Sequence, residues 1–255
     1  LLAAARALPG SGGVSSLEVR AGDGAALEPH GFRSGATFFY HEMSLEGGQE
    51  AVDARIQGST RRDVKRAQRE GVTVRRGETL EDMQAFYSLM VLTRKKHGVL
   101  PQPWRFFQSI HRHLMPAGIA HLLLAEWQGR VVAGELLLSY GRTLTDKFNV
   151  SDPRYLKLRP NHLLLYSGLE LGRSLGCRRV DMGRTDPEAE GLRWHKRSWG
   201  AAESTVHYYY YPEVRRSATV SRASAAPRRL LALLVRHAPA WTLQQAGAVV
   251  YRRLA

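Results

Sequence analysis

The spacing of apolar residues changes several times along this chain, and each change marks an element. From Thr79 to Lys96 apolar side chains fall at 80, 83, 86, 87, 90 and 91, one stripe of a helix. Trp104–Leu114 predicts a second amphipathic helix beyond the Gly98–Pro103 break. Ala120–Trp127, Arg130–Tyr140 and Thr143–Val150 are strand-like runs separated by Gln128-Gly129 and Gly141-Arg142. Pro160 stands where a helix over Asn161–Leu175 begins, and Gly176 where it ends. Arg179–Met182 and Ser204–Tyr211 read as strands. Between them a Gly183-Arg184 turn leads into a short helix opened by Asp186-Pro187.

Upstream, Val72–Arg75 predicts a strand, and Ser59 or Thr60 caps a helix that Gly71 stops. Thr37–Met43 is a further strand, Leu17–Arg20 a short one, residues 21–36 a loop, and residues 1–8 the end of a helix. From residue 72 the order is strand, helix, helix, three antiparallel strands, helix, strand, short helix, strand. That predicts an α+β fold, a mixed sheet with helices on its faces.

Charge refines this picture. The 255 residues carry 37 Lys and Arg against 23 Asp and Glu, a net +14. Residues 214–255 contain eight arginines and no carboxylate, which is more than half of the excess. Such surfaces attract nucleic acid, anionic lipid or phosphorylated molecules. Within the tail, residues 215–227 read as a linker, and 228–236 and 241–254 as two basic amphipathic helices. These suit an anionic membrane surface or the protein's own apolar face. Arg62, Arg66 and Arg69 share a helix face, either solvated or phosphate-binding. The one cysteine, Cys177, excludes an internal disulfide and a cysteine-rich zinc site and reads as a buried thiol. His111 and His113 lack metal-ligand spacing on a helix, so no metal is expected. No apolar run reaches the roughly 18 residues of a membrane span.

The stretch from Asp181 to Gly200 concentrates candidate chemistry. Lys196 and Arg184 sit on a strand–turn–helix corner, an arrangement that suits stabilising negative charge. Lys196 is a candidate for holding an oxyanion or a donor phosphate, or is an ordinary surface lysine. Arg184 either faces a ligand or pairs with Asp186 or Glu188. Asp181 either accepts a proton or holds the turn, and Tyr208–Tyr211 read as packing residues.

Four motifs stand in order: Arg62-x-x-Lys65-Arg66-Ala67-x-x-Glu70-Gly71-Val72, Gly129-x-x-Val132-Ala133-Gly134, Leu158-x-Pro160-Asn161, and Asp181-Met182-Gly183-Arg184-Thr185 with Gly191-Leu192-x-x-His195-Lys196-x-x-Trp199-Gly200. Together they resemble those of FemAB-like acyltransferases of the GNAT superfamily. The resemblance covers roughly 60–212. It implies a GNAT-like fold, with residues 1–70 the end of a first half whose start lies outside the sequence. Residues 71–213 would be a complete second half and 214–255 a helical tail.

It further implies transfer of an acyl or aminoacyl group from acyl-CoA or aminoacyl-tRNA to an amine. The acceptor would be a phosphorylated or lipid-linked envelope, peptidoglycan or exopolysaccharide precursor, with tRNA a partner and the protein cytoplasmic, peripheral on the inner membrane face. Lys196 is the catalytic position carried over from the family, with His195 in place of the usual Phe, and Asp181 joins it. Arg184, Lys157, Arg159, Asn161, Trp199, Lys65 and Arg66 are the expected binding residues. The segment Arg154–Asn161 has none of the glycines of the family's acetyl-CoA pyrophosphate loop. The alternatives are an acyl-CoA-dependent enzyme with an atypical loop, and a basic binding module without catalysis.

Overall fold

The computed structural model describes residues 16–212 and 232–254. They fall into two compact units that interleave in sequence. The first is built from residues 16–42 and 182–212, the second from 43–181 and 232–254. The expected helix at 1–8 and the linker at 215–227 lie outside the described residues.

The first unit is organised by β8 (Ala202–Tyr211), which pairs antiparallel with β1 (Leu17–Ala21) on one edge and β2 (Arg33–Ser44, to Glu42 in this unit) on the other. With neighbours on both edges and packing on both faces, β8 buries Tyr208, Tyr209 and Tyr210 in succession. Tyr209 joins Leu27 and Phe32 in one cluster. Phe38 packs on Tyr208, with ring centroids 4.7 Å apart. The register of β2 slips between Ser34 and Ala36. Gly35 sits at that slip because a Cβ there would lie 2.5 Å from the Tyr210 ring. The expected loop at 21–36 instead contains a 3-10 turn (Glu28–His30) and the start of β2.

The second unit orders its strands β3 (Thr73–Gly77), β4 (Ala120–Trp127), β5 (Arg130–Tyr140), β6 (Thr143–Ser151). β6 then pairs parallel with the opening residues of β7 (Arg179–Thr185). A parallel link needs a long crossover. The helix Pro160–Ser174 provides it, starting with proline at its first turn. Helices cover both faces of these strands. A Cβ on Gly134 would meet Phe86 of the helix Leu80–His97, whereas the neighbouring Glu135 points at Gly168 of Pro160–Ser174. Alternation along β5 thus builds two apolar layers from one strand. The layer beneath Leu80–His97 contains Met83, Phe86, Met90, Phe107, Leu122, Leu124, Leu136 and Val150.

In chain order come the helices α1 (Gly48–Arg55), α2 (Gly58–Arg69), α3 (Leu80–His97), α4 (Trp104–Ser109), α5 (Pro160–Ser174), α6 (Glu190–Ser198) and α7 (Ala240–Leu254), and residues 232–237 are also helical. α3 starts on a capping box, with Thr79 and Asp82 each accepting the other's backbone N–H. Two expectations are corrected. α2 begins at Gly58 without a side-chain cap, because Thr60 is buried inside its first turn. α4 passes into a π-turn (Ile110–Leu114) rather than continuing as one α-helix. α1 has almost no amphipathic pattern, and nothing in the sequence marked it. Cys177 is buried, and burial raises its thiol pKa. In the tail, α7 packs against α3 and buries Leu243.

Candidate active site

Strand β7 does not stop at Met182 but runs on to Thr185, with Gly183 in the left-handed region at φ 70°. The Gly183-Arg184 step is therefore an irregular strand segment and not the expected turn. α6 likewise begins at Glu190 and not at Asp186. Only glycine adopts the Gly183 conformation without strain. It leaves the carbonyls of Gly183 and Arg184 available to a side chain.

That side chain is Lys196. It lies in the last turn of α6 and is only 6% exposed. Its Nζ donates to the Gly183 carbonyl at 3.0 Å, the Arg184 carbonyl at 3.3 Å and the Thr185 hydroxyl at 2.9 Å. An ammonium has three donors, and a buried one needs them satisfied. The reading of Lys196 as an ordinary surface lysine is therefore set aside.

The contacts continue in a defined direction. Thr185 Oγ1 accepts from Lys196, so its hydroxyl proton can go to His41 Nδ1, 3.4 Å away. His41 Nε2 then donates to Glu203 Oε2 at 3.0 Å. Glu203 is also held by Arg193, whose Nε and Nη2 donate at 3.0 and 2.7 Å. Those bonds, with help from His41, hold the Glu203 carboxyl down at about 2. Burial first, then the Lys196 charge, lowers the His41 pKa; Glu203 opposes without winning. His195 is lowered by the same two causes in the same order. Both rings are thus biased to the neutral form. The charges left at the corner include the cations Lys196 and Arg193 and the hydrogen-bonded carboxylate of Glu203.

Arg184 is exposed, with its guanidinium 4.0 Å above the Phe38 ring centroid and 5.3 Å from that of Tyr208. Among the described residues no carboxylate pairs with it, so the alternative of an ion pair with Asp186 or Glu188 is not realised. Arg193 stacks on Phe39 at 3.5 Å. Trp199 is fully buried beside the His195 ring, so it serves as core under α6.

The remaining candidates belong to the second unit. Asp181 lies on β7, half-buried and in register with Thr145. Lys157 is exposed on a 3-10 turn (Pro153–Leu158). Arg159 lies 3.3 Å from Asp63, and Asn161 contacts Ser151. Lys65 and Arg66 are exposed on α2, Arg66 facing Glu70 at 3.7 Å. The first unit therefore brings together Lys196, Arg184 and Thr185 of the motif, and it adds His41, Arg193 and Glu203, which the motifs did not name. A usable signal existed for His41 alone, a polar residue on the inward alternation of an otherwise apolar strand. Among the described residues no cluster of His, Cys, Asp and Glu is arranged to hold a metal ion.

Comparisons with known proteins agree with this architecture. The acetyltransferase (GNAT) domain family matches residues 54–197. Over 85 residues the chain is 26% identical to the UDP-N-acetylmuramoylpentapeptide-lysine N(6)-alanyltransferase of Weissella viridescens. That alignment covers 33% of this chain and only 25% of the relative. The crystal structure of FemX superposes with a TM-score of 0.68 at 17% identity, over 82% of this chain and 75% of that one. L-PGS from Bacillus licheniformis gives 0.57 at 15%, over 86% and 73%. These likenesses establish the fold, a mixed sheet with helices, and the domain match covers more than half of the sequence. The chain belongs to the acetyltransferase (GNAT) domain family.

Proposed function

We propose that this protein transfers an aminoacyl group from aminoacyl-tRNA to an amine on an envelope precursor; the name of the Weissella relative describes, for that enzyme, alanyl transfer to the lysine N6 of a UDP-N-acetylmuramoyl pentapeptide. The observation that carries the reading is the buried Lys196 ammonium. In the reaction the amine nitrogen attacks the acyl carbonyl carbon, a C–N bond forms and the carbonyl electrons move to oxygen. The intermediate collapses by expelling the donor's hydroxyl, which leaves with the proton lost by the amine. A fixed positive charge beside the developing oxyanion lowers the barrier most where water is excluded. Lys196 is held in one orientation by three oxygens, and its longest bond, to the Arg184 carbonyl, is the one an oxyanion replaces. Arg184, presented on Phe38, is placed to hold a phosphate or carboxylate of the donor. Asp181 is the proposed proton acceptor, and Lys157, Arg159, Asn161, Lys65 and Arg66 are proposed to meet donor or acceptor phosphates.

The test is amide formation on a lysine-containing muramyl peptide, with alanyl-tRNA and acetyl-CoA offered separately. Lys196→Met should lower the rate about 10²- to 10³-fold, the usual effect of removing one oxyanion-stabilising group. Product from acetyl-CoA alone would replace this reading with the acyl-CoA-dependent one. No product from either donor, with folded protein, would favour the binding module.

The tail supports a surface role. α7 docks on its own unit through Leu243, while Leu233, Leu234, Trp241 and Val249 stay exposed. Among the described residues no helix is long and apolar enough to cross a membrane. We infer that this exposed side meets an anionic bilayer. Flotation with phosphatidylglycerol vesicles should fall on Trp241→Glu, and equal flotation of that variant would reject it.

A further inference from the structure

A cleft of about 260 Å³ opens in the second unit between the C-terminal half of α3 and β6. Met90, Thr93, Arg94 and His97 line one wall, and Lys147, Phe148 and Asn149 the other. The second wall is unusual. Consecutive residues of a regular strand point to opposite faces, yet Lys147 and Phe148 both reach the cleft. The cause is a bulge: Leu136 pairs with Phe148 and Leu137 with Asp146, so Lys147 has no cross-strand partner. A bulge re-aims a side chain, and this one turns a cation towards the helix.

Phe148 is the floor that fixes the geometry. Its ring packs on Phe107 and Phe106, with centroids 5.7 and 6.3 Å apart. The Arg94 guanidinium and the Lys147 ammonium each lie 5.9 Å from its centroid. Two cations are therefore brought to one aromatic ring, and the lining contains no carboxylate. Among the described residues neither Arg94 nor Lys147 forms an ion pair. His97 adds an imidazole to the same wall. Burial, then Lys96, Arg94 and Arg236, lower its pKa, which records the positive surroundings of this end of α3. Thr93 is occupied by the Ser151 backbone N–H, so the polar groups free to meet a ligand are mainly donors.

We propose that this cleft binds a phosphate or diphosphate group. Arg94 would grip two oxygens through its planar fork and Lys147 would neutralise a further charge. A multiply charged anion suits two converging cations better than a single carboxylate does. The site lies apart in sequence from the Lys196 corner and its occupancy does not depend on that corner's chemistry.

Calorimetric titration with inorganic pyrophosphate at low salt tests it, with acetate in parallel. Saturable binding near or below about 1 mM is expected for pyrophosphate and not for acetate. Arg94→Ala and Lys147→Glu should each weaken it at least about tenfold. Lys147 is exposed, so its replacement keeps the test valid should Arg94→Ala fold poorly. Lys196→Met, and Arg62→Ala with Arg69→Ala on the exposed face of α2, should leave binding unchanged. Phosphatidylcholine vesicles carrying a polyprenyl diphosphate distinguish the source. Retention lost in Lys147→Glu supports a lipid-borne diphosphate, and binding of free pyrophosphate without retention supports a soluble one. Absence of saturable pyrophosphate binding, or equal loss in the α2 variant, overturns the proposal.

Discussion

Lys196 in the first unit and Glu135 in the second are both ionisable side chains removed from water, yet their surroundings are opposite. Lys196 meets three oxygens, while the two Glu135 oxygens, on a residue with no exposed surface, have no hydrogen-bond partner among the described residues. Across the ladder Asn149 stands opposite Glu135, at a geometry short of a full bond. Burial, reinforced by the charge of Asp146, pushes the Glu135 pKa well above the usual carboxylate range, and Asn149 only moderates this. A buried charge survives where the backbone bends to supply acceptors, as at Gly183. Where the strand is regular, the group sheds its charge instead. The first solution leaves a charge ready for chemistry. The second leaves a neutral acid facing Gly168 in a packed layer.

The largest effect should come from breaking the satisfied group. Lys196→Met removes three charge-assisted bonds and leaves buried acceptors without a donor. Urea unfolding should show a loss of about 2–4 kcal/mol. A loss within 0.5 kcal/mol, the size typical of surface changes, would mean that the three bonds contribute nothing net and that the corner is held by Trp199 and its neighbours.

Next comes the orphaned acid, where replacement should stabilise. Glu135→Leu removes an unpaired buried polar group, a gain of about 1–3 kcal/mol at neutral pH. The sign with pH follows from the raised pKa. The folded state holds the proton more tightly than the unfolded one, so stability declines as pH rises from the unfolded carboxylate range through the folded pKa. The advantage of Glu135→Leu should therefore grow with pH across that window. His41 works the other way. Its lowered pKa means that its contribution is complete above the unfolded histidine range and is lost as pH falls through the folded value. Stability curves of Glu135→Leu and His41→Gln should lose their alkaline and acid slopes respectively. Parallel curves for both variants and the parent would remove the contrast.

How much of this was legible beforehand follows the same line. The strands and helices from 72 to 182 could be read because their apolar positions recur at the period of each element, and α3 was placed almost to the residue by its stripe. The motif around Gly183 and Lys196 located the corner. Its contents could not be read in full, because His41 and Glu203 reach it from β2 and β8 through ladder register, which no local pattern encodes. The same holds for Lys147, whose direction depends on a bulge set by the partner strand. Gly183 suggested a turn because glycine permits one; the strand continues through it because Arg184 and Thr185 are held by Phe38, His41 and Lys196.

Arg184 gives the smallest and most selective prediction. It sits one residue from Thr185 in the same corner as Lys196, but it is exposed and held only by aromatic faces. An exposed cation over a ring contributes about 0.5–1 kcal/mol. Arg184→Ala should therefore cost no more than that in urea unfolding, several-fold less than Lys196→Met. Arg184→Lys, which cannot stack as a plane, should recover little of it. If Arg184 instead proved as costly as Lys196, the stability of the corner would follow from cations packed on aromatic rings, and satisfaction of buried donors would no longer separate the two kinds of site.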